Sequence, residues 1–504
     1  MSWQSGRLRP LCVPKVTAAD AAAILDTILR GLFNVTGIIA TLIFYQLLML
    51  GIGWWASKRN SDSEDYYLGG RKLGGLVAAL SASASSSSAW SLLGVSGAAF
   101  AWGLPAIWLI PATLLGFCIN WFLIAPRLAE QSRANGAVTL TEFVAGPRGD
   151  PARKLMMRLG AAVILFSFTF YIAAQFQAAG KTFASVLEIE QTTAIVVGAA
   201  VVLAYVWLGG FWAASVTDSV QGLLMAFSAL LLPLLALAAV GGPQDLVASL
   251  VMDAEGEALS WTGQASWPAA IGFVAGLFGI GLGYPGQPHV VNRFMAIRDE
   301  RALQTGRRIA VSWALIIYTG MVLLGWCGRL LVDGLEDGEQ LLFVLATLLL
   351  PSLVAGVMVS AILSAIMSTA DSQLLVAASS VSHDLRDARA EPGRHSLSAA
   401  RWVVLAIGAL AIVLAIYFPD DIFSRVLFAW QALAAAFGPL LVVTLWRGQI
   451  QAAWRLAALV CGFGLTVLLS WTVDSPGDWV ERLLPLGLAL ALAWHGAQRA
   501  CNSR

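Results

Sequence analysis

Long apolar segments alternate with short polar ones along nearly the whole chain. A helix needs roughly 17 to 25 largely apolar residues to cross a bilayer, and this measure predicts thirteen spanning helices. Their predicted positions are residues 35–56, 73–99, 103–126, 156–182, 190–209, 212–240, 268–292, 308–331, 342–382, 401–418, 424–446, 452–472 and 480–498. The stretch 342–382 is too long for one straight crossing, and we expect it to break at Pro351. The pattern predicts an all-α integral membrane protein.

Two predicted spans contain residues that weaken a continuous helix. The second has four consecutive serines, Ser85 to Ser88, whose hydroxyls compete with the backbone for hydrogen bonds. The seventh has four glycines and two prolines between Gly279 and His289. Backbone freed at membrane depth must line a cavity or bind a ligand, and two such breaks at matched positions are typical of inverted-repeat transporters. For each segment alone, a packing seam of small residues is the alternative.

The ninth predicted span is apolar except for a polar stretch in its middle. At 3.6 residues per turn, Ala365, Ser368, Thr369 and Ser372 lie on one face of that helix. The carboxylate of Asp371 costs at least about 2.5 kcal/mol in hydrocarbon, so it needs a partner and indicates a function. The alternative is that the hydroxyls bond to their own helix and that Asp371 is neutral or paired.

Lysine and arginine collect after the odd-numbered spans, and acidic residues collect after the sixth and eighth. The basic residues that set the pattern are Lys58, Arg59, Arg71, Lys72, Arg127, Arg133, Arg148, Arg153, Lys154, Arg158, Arg293, Arg298, Arg301, Arg307, Arg308, Arg386, Arg389, Arg394 and Arg401. Because cytoplasmic loops carry an excess of positive charge, we expect the N-terminus outside and the C-terminus inside.

The ends of the chain have a different composition from its centre. Residues 1–34 are too polar for a span and lack the unbroken apolar centre of a signal peptide, so they predict an amphipathic surface helix or an irregular extension. Residues 35–498 form one predicted transporter domain, and residues 499–504 form a short cytoplasmic tail.

Composition excludes several classes of protein. Of 504 residues, 58% are hydrophobic and 12% charged, whereas soluble domains are roughly 25% charged. A formal net charge of +1 gives no indication of nucleic-acid binding. The lipid bilayer is an expected partner, and nothing points to an obligate protein partner. The five cysteines lack CxxC spacing and the four histidines lack metal-ligand spacing, and there is no nucleophile motif, so we do not expect an enzyme.

Several motifs together identify a resemblance. They are Tyr67 to Arg71, Ala79 to Ala82, Gly209 to Phe211 with Thr217 and Asp218, Gly281 to Tyr284, Gly286 to His289, Arg293 to Ala296, and Ala365 to Thr369. In this order, over about residues 36 to 450, they resemble the sodium:solute symporters. The resemblance implies a leucine-transporter-type five-plus-five inverted repeat with one extra leading helix, in a bacterial cytoplasmic membrane. The repeats would occupy 73–240 and 268–446, and two additional helices would occupy 452–498.

The resemblance also implies sodium coupling. The residues that match the family's sodium site are Ala84, Ser87, Ala365, Ser368 and Thr369. Carbonyl and hydroxyl oxygens suit sodium because it is a hard cation. Some relatives bind a second sodium, and the residues in that place are Asp218, Asp371 and Ser372. The alternative for Asp218 is a cap or an ion pair near the cytoplasmic mouth.

The implied activity is sodium-driven import of a small organic solute, and the favoured solute is L-proline. The matching pocket residues, with nearby polar groups, are Ser86, Ser88, Trp90, Tyr171, Gln175, Ile280, Tyr284, Gln287 and Pro288. Two depart from the family's proline carriers, which have aspartate at Ser86 and tryptophan at Ile280. Another amino acid or organic solute therefore stays open, as does proton coupling through Asp218 or Asp371. A sensor would need a long cytoplasmic tail, and a channel would need a filter repeat.

Overall fold

The computed structural model describes residues 18–57, 69–208, 211–252, 261–264, 266–385 and 394–502. In this part of the chain the regular secondary structure is helical, apart from one bridge between Leu73 and Ile297. The helices are α1 (Ala18–Ser57), α2 (Gly75–Ser86), α3 (Trp90–Trp102), α4 (Leu104–Asn135), α5 (Leu140–Val144), α6 (Arg153–Leu187), α7 (Gln191–Leu208), α8 (Phe211–Val240), α9 (Pro243–Met252), α10 (Trp267–Leu282), α11 (Pro288–Met295), α12 (Glu300–Leu331), α13 (Leu341–Leu349), α14 (Ser352–Ser379), α15 (Arg394–Tyr417), α16 (Ile422–Arg447), α17 (Ala452–Thr472) and α18 (Trp479–Asn502).

Long apolar helices dominate the described residues. Nine of them are long and apolar enough to cross a bilayer, or ten if the bent pair α2 and α3 is one span. Shorter apolar helices occupy Gln191–Ala204, Gly338–Leu349 and Arg401–Tyr417. The chain is therefore a multi-pass membrane protein, while the count of thirteen stays a prediction.

The N-terminal part of α1 lies within the predicted extension. Helix α1 is continuous from Ala18 to Ser57, so residues 18–34 are helical and run directly into the first predicted span. Residues 1–17 lie outside the described residues. Further along α1, Phe44 and Leu47 are exposed, as expected for side chains that face lipid.

Both predicted helix breaks are present. Helix α2 ends at Ser86 and α3 begins at Trp90, with a bend of 65° between them. Serine side chains replace ladder bonds there: the Ser86 hydroxyl donates to Ser83 O at 2.9 Å, and Ser88 Oγ accepts from Trp90 N–H at 3.2 Å. These bonds explain why the serine run ends the helix.

The second break lies between α10 and α11. A short 3-10 turn spans Tyr284–Gly286, and Gln287 is extended at φ −92° and ψ 102°. Pro288 then begins α11, where its missing N–H leaves no bond unmade. The predicted break at Pro351 is also confirmed, because α13 ends at Leu349 and α14 begins one residue after this proline.

The two broken segments meet end to end. Leu73 N–H, just before α2, donates to Ala296 O at 3.1 Å, and Arg298 N–H donates back to Leu73 O at 3.0 Å. The start of the first broken helix is therefore joined to the end of the second. The joint places the two interrupted regions side by side within the bundle.

Gly286 allows the second break to touch α16. A Cβ at this position would lie 2.5 Å from Ala434 Cα and 2.8 Å from Ala434 O, which are backbone atoms that cannot rotate away. We expect Gly286→Ala to destabilise the protein by about 1–3 kcal/mol through overpacking. The apparent melting temperature of purified protein measures this loss.

The control for Gly286→Ala is the same substitution at Gly438, which lies on α16 and faces Gly286. A Cβ there would meet its nearest atom, Gly286 N, at 3.6 Å, an ordinary contact distance. Because alanine also favours a helix by up to about 1 kcal/mol over glycine, Gly438→Ala should melt at or above the wild-type temperature. Equal melting of the two variants would contradict the close approach.

Candidate functional site

Oxygen atoms of α14 meet the backbone that the first break leaves free. Ser368 Oγ donates to Ala84 O at 3.2 Å and lies 3.3 Å from Ala365 O. Thr369 Oγ1 donates to Ser85 O at 3.1 Å, and all of these residues are buried. Two hydroxyls and three carbonyls thus converge, a donor set of hard oxygens that suits an alkali cation.

Ser87 differs in part from the other predicted sodium residues. Its backbone N–H donates to Ala84 O at 3.2 Å, which keeps its main chain beside the oxygen cluster. Its hydroxyl lies 3.4 Å from Tyr318 OH, on the side of the predicted solute pocket. Ser87 therefore connects the two groups of predicted residues.

Asp218 forms a buried ion pair with Arg293, and the contacts of the two side chains join four helices. Its Oδ2 lies 2.9 Å from Arg293 Nη2, and both side chains are at most 2% exposed. The same oxygen accepts from Ser81 Oγ at 2.7 Å, and Arg293 also donates to Ser81 Oγ at 2.9 Å and to Ser372 Oγ. The sequence analysis gave an ion pair as one alternative to a sodium-binding role for Asp218, and the structure contains such a pair.

Asp371 lies beside this network, and no lysine or arginine among the described residues forms an ion pair with it. Its Oδ1 accepts from Ser372 Oγ at 3.0 Å, while Ser85 Oγ lies 3.0 Å from the same hydroxyl. Asp371 Oδ2 and Asp218 Oδ1 are buried and have no hydrogen-bond partner among the described residues. Two carboxylates and one guanidinium leave the cluster with spare acceptor oxygens for a cation or a proton.

The predicted solute residues surround the first and second breaks. Tyr171 OH donates to Ser88 Oγ at 3.4 Å, and Gln175 Oε1 accepts from the Ala89 N–H that the break frees. Gln287 Nε2 donates to Gly283 O at 3.2 Å. The other predicted members, Trp90, Ile280, Tyr284 and Pro288, are buried, and Ser86 turns its hydroxyl to its own helix.

Two buried aromatic residues that the sequence analysis missed complete this region. Tyr318 OH lies 3.1 Å from Tyr284 OH, and its ring centroid lies 5.8 Å from that of Trp90. The Trp430 ring packs edge-on against Tyr284 at 4.7 Å, and its Nε1 donates to Ile280 O at 3.2 Å. They lie within apolar helices, where nothing in the sequence separates them from ordinary core residues.

A cluster of charges lies beside the start of α16, where Phe423 packs near Trp90. Lys181 Nζ lies 2.7 Å from Asp337 Oδ2 and 2.6 Å from Glu339 Oε2. Glu339 Oε1 accepts from Phe423 N–H at 3.0 Å, and the Phe423 ring centroid lies 5.9 Å from that of Trp90. These contacts join α6, α16 and the turn before α13 close to Trp90.

Comparison with known proteins assigns the family. Residues 66–462 match the model of the sodium:solute symporter family. The chain belongs to this family. This confirms the resemblance seen in the sequence, and since the family consists of membrane transporters, the protein is a transporter and not an enzyme.

Curated relatives cover most of this symporter. The osmoregulated proline transporter OpuE of Bacillus subtilis (strain 168) is 36% identical over 457 residues, which are 89% of this chain and 92% of the relative. The high-affinity proline transporter PutP of the same organism is 34% identical over 452 residues, 88% of this chain and 94% of the relative. The sodium/proline symporter of Escherichia coli (strain K12) is 35% identical over 437 residues, 84% and 85% of the two chains.

Solved structures show the same fold at low sequence identity. A Na+-coupled sialic acid symporter in a substrate-bound outward-open state has a TM-score of 0.76 at 17% identity, covering 92% of this chain and 98% of that one. Mhp1, a nucleobase-cation-symport-1 family transporter, has a TM-score of 0.53 at 14% identity, covering 86% and 95%. The symporter therefore has the helical fold of these cation-coupled transporters.

Proposed function

We propose that this symporter imports L-proline, or a closely similar small amino acid, together with sodium. The curated relatives are named for proline transport at 34 to 36% identity over most of their length. The observation that carries the coupling is the contact of the Ser368 and Thr369 hydroxyls with the carbonyls of Ala84 and Ser85. A cation held by these oxygens would bind α2 and α14 at once.

This geometry supports a coupling mechanism by alternating access. Sodium bound by Ala84, Ser87, Ala365, Ser368 and Thr369 would fix the first break and so shape the pocket beside it. By linkage, the solute must then tighten sodium binding by the same factor. One charge crossing 100 mV releases about 2.3 kcal/mol, which sustains a solute gradient of roughly fifty-fold at about 1.4 kcal/mol per decade.

Three buried polar atoms supply the means to recognise an amino acid. Trp90 Nε1, Gln175 Nε2 and Gln287 Oε1 have no hydrogen-bond partner among the described residues. The first two are donors that suit a carboxylate, and the third is an acceptor that suits an amine. The surrounding rings of Tyr171 and Tyr284 would pack against an apolar ring of the solute.

The identity of a second coupled ion, sodium or a proton, distinguishes two versions of the proposed mechanism. Asp218, Asp371 and Ser372 would hold a second sodium, or the two carboxylates would carry a proton. Because Arg293 pairs with Asp218 at 2.9 Å, we assign the second cation mainly to Asp371 Oδ2. Uptake driven by a pH gradient in sodium-free buffer would instead support the proton-coupled carrier.

The proposed topology has thirteen spans and a five-plus-five repeat. The joint between Leu73 and Ile297 supports it, since the first segment of one repeat begins where the first segment of the other ends. The repeats occupy 73–240 and 268–446 after one leading helix, in a bacterial inner membrane. Arginines near this joint, such as Arg71, favour a cytoplasmic position for it, and in the proposed topology the Lys181 cluster then faces outside.

Competition for uptake into proteoliposomes tests this function. Sodium-driven uptake of labelled L-proline should be inhibited by L-proline far more than by pyrrolidine, which lacks the carboxylate, or cyclopentanecarboxylate, which lacks the amine. Glycine betaine tests quaternary amines, and a potassium gradient is the control for the ion. The proposal would be overturned if uptake proceeds equally with a potassium gradient. It would also be overturned if glycine betaine inhibits the uptake and unlabelled L-proline does not.

A further inference from the structure

A cavity of about 370 Å³ lies apart from the transport pocket, between the ends of four helices. Helices α4 and α16 end beside it, and α6 and α17 begin beside it. Its lining includes three arginines, Arg148, Arg153 and Arg455, together with Asn135 and a single carboxylate, Glu142. The proposed transport cycle uses none of these residues.

The charges around the cavity do not cancel. Arg153 pairs with Glu142 at 3.0 Å, and Arg455 pairs with Asp150 behind the lining. Desolvation would raise the pKa of Asp150, but hydrogen bonds from Arg455 and from Ala152 N–H lower it overall, so the carboxylate is charged. Arg148 has no ion pair or hydrogen bond with another described residue. One positive charge therefore remains for a ligand.

Arg455 has a buried side-chain donor that makes no hydrogen bond with any described residue. The residue is 1% exposed, and the donor is its Nε. A buried donor without an acceptor destabilises the folded protein. The loop is fitted to this guanidinium, because a Cβ on Gly146 would lie 2.1 Å from Arg455 Nη1. Arg455 belongs to the lining, so its guanidinium adds positive charge to the wall of the cavity.

Aromatic residues beside the cavity indicate a position at the depth of lipid headgroups. Trp446 follows Thr444 of the lining and is 41% exposed, with the Arg127 guanidinium 4.4 Å from its ring centroid. Trp494, 39% exposed, has Arg447 at 4.2 Å in the same way. Tryptophan is enriched at the membrane interface, where its ring is apolar and its N–H is wet.

We propose that this cavity binds a phosphate group, with Arg148 as its direct donor and the Arg455 guanidinium as a positive charge in the cavity wall. A planar guanidinium can donate two parallel hydrogen bonds to two oxygens of a phosphate, which a monovalent halide cannot accept. The group would come from the headgroup of an anionic lipid or from free phosphate. It would hold together the ends of α4, α6, α16 and α17.

Thermal unfolding of the purified full chain tests the site with two probes. One series titrates inorganic phosphate in detergent, and the other compares phosphatidylcholine nanodiscs with and without phosphatidylglycerol. Arg148→Gln removes the unpaired charge, and Arg158→Gln removes an equal charge from the exposed surface of α6 outside the cavity. Asn135→Asp keeps the shape of the lining and adds a negative charge.

The wild type and Arg158→Gln should be stabilised by one of the two probes. A hydrogen bond to a charged group contributes about 1.5–3 kcal/mol, so Arg148→Gln should need at least about tenfold more ligand for the same shift. Asn135→Asp should weaken binding although all three arginines remain. Stabilisation by phosphate identifies a free anion, and stabilisation only by phosphatidylglycerol identifies a lipid. No stabilisation by either probe, or equal responses of the Arg148 and Arg158 variants, would overturn the proposal.

Discussion

Replacing Arg293 with glutamine is expected to lower stability by about 3–5 kcal/mol, because it leaves Asp218 as an uncompensated charge in a buried position. The pair is at most 2% exposed, and the guanidinium also donates to His289 O and to the hydroxyls of Ser81 and Ser372. One side chain thus joins α2, α8, α11 and α14. The yield of folded protein and its apparent melting temperature measure the loss.

The chain supplies a closely matched control for this substitution. Arg298 pairs with Asp299 at 2.8 Å, almost the same distance as the buried pair, but these side chains are 62% and 44% exposed. Exposed pairs contribute about 0–1 kcal/mol, so Arg298→Gln should melt close to the wild type. The double variant Asp218→Asn with Arg293→Gln should be more stable than either single variant. Additive losses would contradict a direct interaction.

The features that could be predicted from the sequence are the local ones. Ser85 to Ser88 and the glycines and prolines around Tyr284 act on their own backbone, so composition alone identified both breaks. The hydroxyl face of α14 followed from helical periodicity. Its contact with Ala84 joins two predicted residues, whereas Thr369 bonds to Ser85, which the prediction did not include, and whether sodium binds there stays a proposal.

The features that the sequence could not give depend on distant contacts. Asp218 and Arg293 are 75 positions apart, and Lys181 and Glu339 are 158 positions apart, so neither pair has a local signal. Tyr318 and Trp430 were missed because lipid and protein core are both apolar, so hydropathy does not separate a pocket residue from a lipid-facing one. Arg293 was expected in a cytoplasmic loop, whereas the structure buries it in α11, so the sequence did not show that its charge needs a buried partner.

Replacing Thr369 with alanine should raise the sodium concentration for half-maximal uptake by about tenfold, while maximal uptake at saturating sodium is largely kept. The substitution removes one hydroxyl from the proposed ion site, where Thr369 Oγ1 lies 3.1 Å from Ser85 O. A hydrogen-bonding or ligating hydroxyl contributes about 1–2 kcal/mol, close to the 1.4 kcal/mol that corresponds to one decade. Uptake into proteoliposomes over a sodium series measures the change.

Two control variants separate a sodium ligand from a packing residue. Thr369→Ser keeps the hydroxyl and loses only a methyl group, so its sodium dependence should stay near that of the wild type. Thr182→Ala removes an equally buried hydroxyl that bonds to Ala178 O at 2.7 Å within its own helix. It should leave sodium dependence unchanged. If Thr369→Ala also leaves it unchanged, the contact between α14 and the first break holds the helices together and binds no ion. The sodium site must then be sought around Asp371.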